Sequence, residues 1–132
     1  ALREAGLPIH EDWIRSTPIE LASGALLARE VKAAMKAQSR PQAIFIASDI
    51  IAAGFVLEAS RIKLRVPQDV AIAGFDDTEI GQAVTPPLTS VHVPQRQIGQ
   101  VAASLLLQRL RKERVIESVH DLGFSIVSRA SA

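Results

Sequence analysis

The run Val70-Ala71-Ile72-Ala73-Gly74 constrains this chain of 132 residues more than any other stretch. A short, nearly continuous apolar run fits a strand buried on both faces of a parallel sheet. Pro67 enforces an extended approach to it. Two carboxylates, Asp76 and Asp77, follow at its carboxyl end. In open α/β sheets small ligands sit in the crevice outside the carboxyl ends of the strands. An acidic pair there can accept hydrogen bonds from the hydroxyls or amines of a small polar ligand.

The rest of the chain alternates around that run. Ile9 to Pro18 has no period and reads as a loop, leading to a short extended segment at Ile19 to Leu21. Ser23 is placed to cap a helix with Leu27, Val31, Ala34 and Met35 on its apolar face, and Pro41 ends it. Ala43 to Ala47 reads as a second buried strand. Ser48 or Asp49 caps the next helix, whose core face is Ala52, Phe55, Val56 and Ala59. Leu88 to Val91 is a further strand after Pro86-Pro87. Pro94 opens a long helix with Ile98, Val101, Ala102 and Leu105 on one side. Leu122 to Val127 supplies the last strand. Strands alternating with helices over short connections predict a single α/β domain over 1–132, a three-layer Rossmann-like lobe with a mainly parallel sheet.

Composition narrows the function classes. An apolar fraction of 48% fits a packed domain and excludes a disordered one. Fifteen basic against fourteen acidic residues leave no electrostatic footprint for nucleic acid. The basic cluster Arg109, Arg111, Lys112 and Arg114 ends a long helix, where cations complement the dipole and lie in solvent. Without cysteine there is no disulfide, thiolate metal site or cysteine nucleophile, which fits a cytoplasmic protein. His10, His92 and His120 lack ligand spacing, so no metal and no cofactor are expected. No apolar run approaches the roughly 18 residues of a membrane span. Ala1 to Pro8 reads as the end of a helix with Gly6 at its C-cap, as though the chain begins mid-protein.

Ser48-Asp49 and Asp76-Asp77 each follow a predicted strand, so parallel pairing brings both pairs to one crevice. Asp49 has an ordinary role as an N-cap. Asp77 suits the turn. Trp13, in a loop, can either reach the crevice, where its face suits a sugar, or be partly buried as an anchor.

Val66-Pro67-Gln68-Asp69-Val70, Gly74-Phe75-Asp76-Asp77, Pro86-Pro87-Leu88-Thr89-Ser90-Val91, Ile98-Gly99 and Leu105-Leu106-Leu107 resemble the LacI/GalR family of bacterial transcription regulators. Ala43 to Gly54 and Val127 to Ser131 extend the resemblance to nearly the whole chain. It implies a periplasmic-binding-protein-like fold of two lobes with a small effector between them, of which this chain is most of the C-terminal lobe. A helix-turn-helix domain and most of the other lobe then lie upstream, and operator DNA is bound through that absent domain.

By the same resemblance Asp76 contacts effector, and so do Ser48 and the adjacent Asp49. Ile19 stands where relatives often stack an aromatic on the ligand. Ala53, Ile80 and Val84 fall in the stretches that help form a homodimer surface. Lys63 stands where relatives commonly carry Gly. The implied function is the effector-sensing part of a repressor that responds to a sugar, sugar acid or nucleobase and catalyses nothing. A lobe of a secreted sugar-binding transport protein is the alternative. An enzyme using Asp49 and Asp76 is the third class, and it lacks a nucleophile, phosphate loop or metal set.

Overall fold

A computed structural model describes residues 3–9, 11–36, 40–113 and 119–132. Among the described residues four α-helices and four strands alternate: α1 (Leu21–Ala33), β1 (Ala43–Phe45), α2 (Asp49–Arg61), β2 (Ala71–Phe75), α3 (Glu79–Ala83), β3 (Thr89–His92), α4 (Gln95–Leu110) and β4 (Ser125–Val127). The sheet order is β1-β2-β3-β4. β1 and β3 run parallel to β2, and β4 returns antiparallel to β3. The expected α/β class with a mainly parallel sheet is what the chain adopts.

The core lies between one face of the sheet and the pair α1–α2. Ala52, Phe55, Val56 and Ala59 of α2 are buried there with Ile72 of β2, Val70 before it and Leu88 before β3. Period 3.6 in the helix and period 2 in the strand aim these side chains at one another. α1 and α2 touch backbone to backbone. A Cβ on Gly24 would collide with Ile51 O, and one on Gly54 with Leu21 O. Both glycines are needed for that approach. α2 closes in a Schellman turn, Leu64 N–H donating to Ala59 O at 2.8 Å and Lys63 N–H to Ser60 O at 3.3 Å.

Several expectations change. Ser23 is no cap: α1 begins earlier, at Leu21 after Glu20, so Ser23 is buried inside the helix and no strand forms at Ile19 to Leu21. The sheet is not buried on both faces. β2 alternates between buried and half-buried residues, and the second face carries Phe45 at 61% exposure and Ile126 at 69%. Among the described residues, the packed helices α1 and α2 cover one face of the sheet. α4 forms where its period predicts, but no residue of it is buried. The helix α3 had no signal in the sequence. Arg111 and Lys112 follow α4 in solvent as expected, whereas Arg114 and His10 lie outside the described residues.

The last residues fasten the sheet. Ser131 is fully buried, its hydroxyl donating to Ile72 O at 2.6 Å and accepting from Thr89 N–H at 2.8 Å. Ile72 N–H donates in turn to Ser131 O at 2.8 Å. Thus the closing segment ties β2 to β3.

Candidate functional site

Parallel pairing of β1, β2 and β3 puts their carboxyl ends on one edge, which holds Ser48, Asp76 and His92. Asp49 opens α2 directly under this edge. It is only 1% exposed. Its Oδ1 accepts the Ser90 hydroxyl at 2.8 Å, and its Oδ2 accepts Thr78 N–H at 2.7 Å and the Thr78 hydroxyl at 3.2 Å. Ser90 Oγ also accepts Asp77 N–H at 3.1 Å, so Asp77, Ser90 and Asp49 form a relay. Room for the carboxylate comes from two glycines. A Cβ on Gly74 or Gly81 would meet Asp49 itself. Asp49, expected to touch effector, is here an internal strut whose charge is met by protein donors.

Above the strut the chain turns sharply. Asp76 and Asp77 have φ values of 97° and 53°, a region aspartate tolerates better than most residues. Asp77 is held by Arg129 Nη2 on Oδ1 at 2.6 Å and by His92 Nδ1 on Oδ2 at 3.1 Å. Arg129 Nη1 also donates to Leu88 O at 2.7 Å. These bonds give Asp77 the turn role expected of it. Asp76 differs. Gln95 Nε2 donates to its Oδ1 at 3.2 Å, and Oδ2 has no partner among the described residues. Asp76 lines an open depression of about 760 Å³ together with Glu79, His92, Gln95 and Arg96.

The other candidates lie elsewhere along the edge. Trp13, Ile19 and Ser48 line a second groove of about 460 Å³, beside β1 and α1. Arg15 lies over the Trp13 ring, 6.0 Å from its centroid. Ser48 is the N-cap of α2 and makes no side-chain capping bond. Among the described residues, Asp76 lines one depression of this edge, and Ser48, Ile19 and Trp13 line another. Ala53 and Val84, expected at a dimer surface, belong to the buried core, and Ile80 is packed against that core.

Three features were missed. Phe45, expected inside, is exposed and meets Phe75 edge to face at 6.3 Å between ring centres. The Arg129–Asp77–His92 cluster joins residues far apart in sequence. Gln95 has no signal in the sequence at all. No group of three or more His, Asp or Glu side chains is arranged to hold a metal among the described residues.

The whole chain, residues 1–132, matches the model of the periplasmic binding protein-like domain. The chain belongs to that family. Within it, the relatives are regulators of the LacI/GalR type. An HTH-type transcriptional repressor PurR of Vibrio parahaemolyticus is 35% identical over 129 residues, covering 98% of this chain and 38% of the relative. The PurR repressor of Photorhabdus laumondii is 33% identical over 131 residues, with 99% and 38% covered. Among solved structures, a complex of the transcriptional regulator CelR with cellobiose superposes at a TM-score of 0.86 with 29% identity, covering 99% of this chain and 39% of that one. The regulator CcpA of Lactococcus lactis superposes at 0.88 with 27% identity, covering 98% and 46%. The chain therefore spans about two fifths of the curated relatives' length.

Proposed function

We propose that this periplasmic binding protein-like chain is the effector-sensing lobe of a LacI/GalR-type transcriptional repressor. The effector is a small polar metabolite: a sugar, sugar acid or nucleobase. The observation that carries the reading is Asp76. Of the three aspartates at the strand edge, Asp49, Asp76 and Asp77, it alone has an oxygen that no described residue engages, and it lines an open depression. Asp49 and Asp77 are both occupied by protein donors. Likeness to regulators over the chain's full length favours this reading over a secreted transport protein.

Ser48, Ile19 and Trp13 are secondary contacts in the neighbouring groove, which an effector reaches as the second lobe closes over the edge. Operator DNA is bound through a separate helix-turn-helix domain of the complete protein, in the cytoplasm. That protein is a homodimer. With Ala53 and Val84 inside the core, the outer face of α2 offers Ile50 and Leu57, both exposed, to the second copy. This lobe carries out no chemistry. Its effector acts by binding one arrangement of the lobes better than the other.

The test is Asp76→Ala in the complete protein. Operator affinity without effector should stay within about twofold of the parent, while the effector response disappears. An unchanged response in a gel-shift titration would sink the assignment. The loss expected is about 100-fold in effector affinity, as for a charged hydrogen-bond partner in a closed site.

A further inference from the structure

The Asp76 side chain has one partner among the described residues, and that partner belongs to the helix that leaves the sheet. Gln95 is the first residue of α4, and its Nε2 is 3.2 Å from Asp76 Oδ1. A carboxylate only accepts, so the amide must turn its NH2 toward it and its oxygen away. Both backbones are anchored at the end of β3. Asp76 N–H donates to Val91 O at 2.9 Å, and Gln95 N–H donates to Val93 O at 2.7 Å. Pro94 stands between Val93 and Gln95 with its ring-fixed φ of −76°. The separation of the two backbones is thus set by the sheet, and the two side chains meet across it at the exposed edge. Around them, the turn after β2 supplies Asp77 and Glu79 to the depression, and the start of α4 supplies Arg96 and Gln100.

We propose that Gln95 is a positioning and specificity residue of the effector site. The proposal rests on the reading of Asp76 as the effector contact. By occupying Oδ1, Gln95 fixes the carboxylate so that Oδ2 is left for the ligand. Its own amide oxygen, turned away from the carboxylate, offers a second acceptor in the same depression. Two acceptors on one lining select a ligand with two donors on one side, such as a pair of hydroxyls or a ring N–H and an exocyclic amine. A ligand that offers only acceptors at that position is refused, because the carboxylate and amide oxygens would be left unpaired.

The experiment uses the complete protein. Calorimetry with glucose, cellobiose, sucrose, gluconate and the five common nucleobases selects a binder. That binder is then titrated into the parent, Asp76→Ala, Gln95→Leu and Gln95→Glu. Gln95→Leu should weaken binding about tenfold, the loss of one exposed hydrogen bond to a charged group. Its melting temperature and effector-free operator affinity should match the parent. Gln95→Glu should weaken binding further at neutral pH, because two carboxylates then face each other. Affinity should recover as pH falls toward about 4–5, where the introduced group takes up a proton and donates again. A merely structural role gives no such pH profile. If no compound on the panel binds the parent, or Asp76→Ala binds as well as the parent, the effector reading fails and takes this proposal with it. Loss in Asp76→Ala with parental affinity and pH profile in both Gln95 variants overturns the Gln95 assignment alone.

Discussion

Asp49 is the residue on which the edge depends most. Its three accepted bonds come from two partners, 29 and 41 positions along the chain, and each carboxylate oxygen faces a donor. Asn at this position keeps the size and loses one acceptor, so an NH2 must face either Thr78 N–H or the Ser90 hydroxyl. Leaving a buried donor unmatched costs about 1–3 kcal/mol, more where a charge was involved. Asp49→Asn should therefore lower stability by about 3 kcal/mol in urea unfolding, and a loss below about 1 kcal/mol would contradict the strut role. Lys63 gives a prediction of opposite sign. It occupies the left-handed position of the α2 Schellman turn at φ 56°. Lys63→Gly should raise stability by about 1 kcal/mol, less the added freedom of glycine in the unfolded chain, read from the same unfolding curves. At this scale the sequence showed the place of Asp76, because a carboxylate after an apolar run is a local signal. The strut was illegible, since nothing near Asp49 names Thr78 or Ser90.

At the scale of elements, periodicity was sufficient for α2, whose predicted core residues are all buried. It misled for α4. A period reports an apolar face but not what covers it, and no part of α4 is buried among the described residues. The same limit applies to β1 and β2, whose unbroken apolar runs implied cover on two faces where the described residues supply one. A turn gives the prediction that belongs here. Ahead of β2, Asp69 accepts from Arg65 N–H at 2.9 Å and from its guanidinium at 2.5 Å. These side-chain and backbone bonds hold the Asp69 carboxyl down at about 2, against an ordinary value of 3.8. Between those values the unfolded chain binds a proton that the folded chain does not. The turn's contribution is then full above pH 4 and fades as pH falls toward about 2. Urea midpoints of the parent and Asp69→Asn should differ at pH 5 and converge by about pH 2. A constant gap across that range would separate Asp69 from acid stability.

For the whole molecule, the openness of the strand edge bears on what this chain can do by itself. Asp76 lines one depression and Ser48, Ile19 and Trp13 another, and both are open to solvent. An open site leaves its hydrogen bonds in competition with water, and only closure by a second surface makes one Asp76 bond worth the factor expected above. The same sheet carries Phe45 and Ile126 uncovered, and α4 adds Leu106 and Leu110 to the exposed apolar surface. Residues 1–132 alone should thus bind the effector at least about 100-fold more weakly than the complete protein, the difference made by two or so contacts on the missing side. Parallel calorimetric titrations of the 132-residue chain and the complete protein, with one binder and one buffer, measure the ratio directly. Equal affinities would put the entire site in this lobe, and closure could then no longer be what links effector to operator. A large ratio means that part of the binding energy is available only when the lobes meet. On the proposed reading, that part is the differential affinity through which the effector shifts the balance between lobe arrangements.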